Sequence, residues 1–76
     1  MKLKEIKHQQ DYKFTLTFVN GETAFADLER LIAKYVTKQE LGSARINQEW
    51  GCLEFKNGTV DIEPKTLHQF AKHQIH

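Results

Sequence analysis

Two Asn-Gly dipeptides, Asn20-Gly21 and Asn57-Gly58, stand in this chain, each between short runs of alternating apolar residues. Asn-Gly tolerates the positive φ that a tight two-residue β-turn demands, so the pair of them limits the possible folds sharply. Ahead of the first, Tyr12-Lys13-Phe14-Thr15-Leu16-Thr17-Phe18 is apolar at every second position, the period of a half-buried strand. A turn at Asn20-Gly21 predicts Val19 opposite Glu22, Phe18 opposite Thr23 and Leu16 opposite Phe25. Leu16 and Phe25 then share a face with Phe14 and Phe18, and turn and pattern give one register. The second dipeptide passes the same test. It pairs Lys56 with Thr59, Phe55 with Val60, Glu54 with Asp61 and Leu53 with Ile62, placing Phe55, Val60, Leu53 and Ile62 on one face. Such hairpins predict an antiparallel sheet.

Between them, Leu28, Leu31, Ile32 and Tyr35 recur at helical spacing, with Asp27 available as N-cap. Residues 38–42 read as a short turn or frayed helix, and residues 43–47 as a strand. Gln48-Glu49-Trp50-Gly51 then turns into Cys52-Leu53-Glu54-Phe55. At the front, Met1 to Ile6 predicts an edge strand through Met1, Leu3 and Ile6. Glu63 precedes Pro64, a residue favoured at the first helical position, and Leu67, Phe70 and Ala71 form the stripe of a last helix ending near Gln74. The expected fold is a single α+β domain over residues 1–76, ordered β-β-β-α-β-β-β-α, with one sheet face under helix and the other wet. Its predicted core is Phe14, Leu16, Phe18, Phe25, Leu28, Leu31, Ile32, Tyr35, Ile46, Leu53, Phe55, Val60, Ile62, Leu67 and Phe70.

The succession of strand, N-G hairpin, short helix and a closing strand–N-G–D-x-x-P-x-T-L segment resembles the small bacterial domain-of-unknown-function family 2442. Asn57, Gly58, Asp61, Pro64, Thr66 and Leu67 carry the resemblance, which extends over nearly the whole chain. Phe55 stands where the family usually has Trp, and the stretch from Gly58 to Asp61 is one residue longer. The family brings no established reaction, cofactor or catalytic residue. What the resemblance implies is a recognition or regulatory module, since members occur alone, ahead of a helix-turn-helix domain, or in toxin–antitoxin-like pairs. After Ile75 no chain remains for a helix-turn-helix, so DNA contact would need a partner.

Charge narrows the classes further. Eleven basic and ten acidic residues give a net charge of +1, against the strong basic excess of a typical nucleic-acid-binding domain. Lys2, Lys4, Lys7 and His8 form the longest cationic cluster, which either meets phosphate or, as lysines on an edge strand commonly do, guards against aggregation. A single cysteine, Cys52, excludes an internal disulfide. With neither a signal peptide nor a run of about eighteen apolar residues, the expected location is cytoplasmic, away from membranes.

Chemistry-bearing residues are sparse. Ser43 follows Gly42 without a nucleophile elbow, and Cys52 falls by alternation on the polar face of its strand. His73 and His76 stand three apart near the C-terminus, while His8 and His68 lie elsewhere; none has the companions a metal site needs. The expectation is therefore no catalytic residue, no metal and no cofactor. The register sets Glu54 directly across from Asp61, with Glu63 continuing the acidic row opposite Cys52, and like charges so placed destabilise a sheet. Either a cation from Lys56 or a neighbouring strand's lysine offsets them, or they await a basic partner or a divalent ion. Asp61 and Glu63 could instead cap the last helix. Trp50, in its turn, either marks a binding surface or folds over the core edge. Glu54, Asp61, Glu63 and Trp50 are thus the candidate partner-binding residues. The functional expectation is a non-catalytic module binding another protein, antitoxin-like or regulatory, with a homodimer as a further option. The alternatives are a phage- or plasmid-borne inhibitor, for example of a CRISPR-type host defence complex, and a small enzyme or metal-binding protein.

Overall fold

The computed structural model describes residues 1–73. In chain order it comprises β1 (Leu3–Gln10), β2 (Lys13–Phe18), β3 (Thr23–Asp27), α1 (Glu29–Ile32), a 3-10 helix (Lys38–Ser43), β4 (Arg45–Ile46), β5 (Leu53–Phe55), β6 (Val60–Ile62) and α2 (Pro64–Lys72). The α+β class and the order of elements are as predicted. The strands divide, however, into two antiparallel sheets of three, β1-β2-β3 and β4-β5-β6. Leu3 N–H donates to Gly51 C=O at 3.0 Å and joins the sheets at one end.

The second hairpin has the predicted register: Leu53, Glu54 and Phe55 face Ile62, Asp61 and Val60. Asn57 and Gly58 both take positive φ, 58° and 87°, as an Asn-Gly turn requires. Lys56 joins them at 57° and leaves the strand.

The first hairpin corrects the expectation. Phe14, Thr15, Leu16 and Thr17 face Ala26, Phe25, Ala24 and Thr23, one residue away from the predicted pairing. Gly21 has φ 91°, but Asn20 is not in the left-handed region. Its side chain instead bridges the turn, accepting from Glu22 N–H at 3.0 Å and donating to Glu22 Oε1 at 2.8 Å. The loop is therefore the three residues Val19, Asn20 and Gly21, closed by Phe18 N–H on Glu22 C=O at 2.8 Å. A one-residue slip sends every side chain of β3 to the other face. Ala24 and Ala26 turn inward, and Phe25 turns out, 58% exposed.

The core lies between the sheets and under α2. Phe14, Phe18 and Phe55 are fully buried, each contributing about 1.5–3 kcal/mol through removal from water. Phe14 and Phe55 meet edge to face at 6.0 Å, linking the sheets. Leu16, Leu28, Ile32, Leu53, Ile62 and Leu67 are buried as predicted, while Leu31, Ile46, Val60 and Phe70 pack against the core only in part. Leu3, Tyr12, Ala26, Val36, Leu41 and Ala71 complete it beyond the predicted set. Tyr35 is excluded, at 61% exposure. Helix α1 stops at Ile32, because Thr37 and Glu40 form a capping box that starts a new helix. Val36 rather than Tyr35 then enters the core, its C=O accepting from the Tyr12 hydroxyl at 2.6 Å. β1 also runs past its predicted end at Ile6, and Met1 stays exposed. The predicted end of α2 at Gln74, with Ile75 and His76, lies outside the described residues.

Candidate interaction surface

Of the predicted site residues, Glu54 is not open to a partner. It is 7% exposed in the middle of β5. Arg45 on β4 donates from Nε to Glu54 Oε1 at 2.8 Å, and Asn47 donates from Nδ2 to Oε2 at 3.1 Å. These hydrogen bonds, from Asn47 and then Arg45, hold its carboxyl below the ordinary value of 4.5. The cation that offsets Glu54 is thus Arg45, and Asp61 across the ladder has no share in it. Lys56 turns away to Glu40, 3.5 Å from its Oε2. Arg45 and Glu54 also line a shallow groove of about 660 Å³ between β1 and β4.

Asp61 and Glu63 are exposed, and among the described residues neither forms an ion pair. Glu63 is the N-cap of α2 by position, but its side chain makes no capping hydrogen bond. Both residues line a second groove, of about 290 Å³, together with Leu31, Tyr35, Val60 and Thr66. Leu31, Tyr35 and Val60 were all expected in the core. The early end of α1 leaves Leu31 half-buried and Tyr35 exposed at the rim, and the Thr37-x-x-Glu40 pattern was the sequence signal for it. β6 forms the floor. Asn47 N–H donates to Cys52 C=O at 2.9 Å, so by alternation Cys52 and Glu54 bond toward β4. Leu53 and Phe55 then bond to Ile62 and Val60, and the main chain of Asp61 is directed to the outer edge. The sequence thus brings an open strand edge, two uncompensated carboxylates and an exposed aromatic ring to one place.

Trp50, 68% exposed, does not line this groove. Asn47 Oδ1 fixes its turn, accepting from the N–H groups of Glu49 and Trp50 at 2.9 Å each. Cys52 is half-buried, and burial, then the charges of Asp61, Glu63 and Glu54, push its thiol pKa up, away from the nucleophilic thiolate. His8 stacks on Phe14 at 4.8 Å, and His68 contacts Glu22 Oε2 at 2.8 Å. His73 is exposed at the end of α2, and His76 lies outside the described residues. Among the described residues no three His, Cys, Asp or Glu side chains gather to hold a metal ion. No helix among them is long and apolar enough to cross a membrane.

The profile of a family described as "Protein of unknown function (DUF2442)" matches residues 3–73. The chain belongs to the DUF2442 family. In this DUF2442 domain the match begins with β1 and ends just past α2, so it takes in both sheets and the groove. No curated protein and no solved structure matches the chain. The residues that carry the family resemblance divide by role: Pro64 and Leu67 are buried on the inner side of α2, while Asp61 and Thr66 line the groove.

Proposed function

We propose that this DUF2442 domain is a non-catalytic interaction module that binds a basic segment of another protein along the groove beside Asp61 and Glu63. The observation that carries this is the exposed Tyr35 ring, with half-buried Leu31, next to two carboxylates that have no cationic partner among the described residues. Tyrosine at the rim of a pocket is a frequent anchor of protein interfaces. The carboxylates supply charge complementarity, which favours a lysine- or arginine-bearing partner. An antitoxin-like or regulatory role and an inhibitor role both use such a surface, and the identity of the captured protein tells them apart.

Photo-crosslinking in the cells that make the protein tests the proposal. Benzoylphenylalanine at Tyr35 is expected to capture a protein that the same probe at Thr15 does not. Asp61→Lys with Glu63→Lys should cut that capture about tenfold, given ~0.2–1 kcal/mol for each exposed charge contact. Equal capture at Thr15, or capture indifferent to the charge reversal, would remove the groove as the binding site.

A further inference from the structure

The two edges of the first sheet are built differently. β1 carries Lys4 and Lys7 and has register shifts at both ends, the usual devices that blunt an edge strand. β3 has neither: it holds no lysine or proline, its one charge is Asp27 at its last residue, and its register with β2 is unbroken. Phe18 N–H donates to Glu22 C=O, and Leu28 N–H to Tyr12 C=O, both at 2.8 Å. The even-numbered residues of β3 therefore exchange hydrogen bonds with β2, and the main-chain groups of Thr23 and Phe25 are directed to the open side. On that strand Phe25 is 58% exposed, its ring on the outward face beside Thr15.

We propose that β3 pairs with β3 of a second copy of this chain, antiparallel about a two-fold axis at Ala24. The sheets then join as one of six strands. Thr23 of each copy faces Phe25 of the other, which makes about four main-chain hydrogen bonds. Each ring covers the opposite threonine methyl, an aromatic–β-branched pair of the stabilising kind. A second copy fits because an isologous contact sets a strand against itself, and residues 23–26 bring no charge opposite its own copy. The two Ala24 side chains meet at the axis on the inner side, where a methyl group is small enough for close approach. Asp27 stays outside the paired segment. The contact is short, so the dimer is of the weak, concentration-dependent kind.

Sedimentation velocity of the full chain over a roughly hundredfold dilution series tests this, with the dissociation constant read directly. Wild type should pass reversibly from dimer to monomer. Phe25→Lys, at an exposed position, should keep the far-ultraviolet dichroism and weaken the dimer at least about tenfold. Asp61→Lys with Glu63→Lys should dimerise as wild type does, which separates this contact from the groove. A wild type that is monomeric throughout, or a dimer that Phe25→Lys leaves unchanged, would overturn the proposal. If Phe25→Lys does not fold, amide exchange of the wild type decides: Thr23 and Phe25 should be protected at high concentration and lose protection on dilution, and equal exchange at both would overturn it.

Discussion

One hydroxyl ties the 3-10 helix to the turn of the second hairpin. Ser43 Oγ donates to Glu40 C=O at 2.7 Å and accepts from the Lys56 N–H at 2.9 Å. Lys56 has φ 57°, where a side chain crowds its own main chain at about 1–2 kcal/mol, so its place is held by what surrounds it. Lys56 Nζ also reaches Tyr35 C=O at 3.3 Å. Ser43→Ala removes both hydroxyl bonds and should cost about 1 kcal/mol. In a chain of this size that is a fall of roughly 4–8 °C in the melting temperature, measured by calorimetry. The like-charge pair of Glu54 and Asp61 was legible in the sequence, because turn and apolar pattern fix the second hairpin. Its remedy was not. Arg45 belongs to a strand of two residues, too short for any periodicity, and reaches Glu54 through a turn held by the Asn47 side chain.

At the scale of elements, the same dipeptide makes two different turns. Asn57 uses its tolerance of positive φ, whereas Asn20 uses its side chain as a bridge across the loop. The difference is one residue of register, and it decides whether Phe25 is core or surface. A pattern could not show it, since alanines at 24 and 26 read as weakly apolar and Phe25 as strongly so. α2 packs against β3, whose inward side chains are the small Ala24 and Ala26. The turn at residues 47–51 illustrates the reverse case, in which one backbone position is specified outright. Gly51 has φ 72°, and a Cβ there would come 2.9 Å from Lys2 Cα and closer still to Lys2 Cβ. Around it, Leu3 N–H donates to Gly51 C=O at 3.0 Å, and Lys2 Nζ to Glu49 C=O at 2.8 Å. Gly51→Ala is therefore expected to destabilise by about 1–3 kcal/mol, read as a lower urea midpoint.

For the whole molecule, acid is the condition that distinguishes this fold from a merely apolar one. Three carboxylates lie below the ordinary 4.5, each through a named hydrogen bond: Glu22 chiefly by His68, Glu40 by the Thr37 N–H, and Glu54 by Asn47. A carboxyl depressed in the folded state contributes stability above its unfolded value and loses it as pH falls through the folded one. The melting temperature should accordingly fall as pH drops below about 4.5, and Glu54→Gln should flatten that fall. The overall class was legible because length, strand period and turn residues all agree on a small α+β domain. The division into two sheets was not, since it depends on how Phe14 and Phe55 meet in space.

That division also orders events in time. Each sheet is made of three consecutive strands, so its pairings close over short stretches of chain. The bond between Leu3 and Gly51 spans almost the whole length. Loop-closure entropy places such a bond after the local ones, beyond the folding barrier. Gly51→Ala should then leave the refolding rate nearly unchanged and put its effect into faster unfolding, a signature that stopped-flow chevrons resolve.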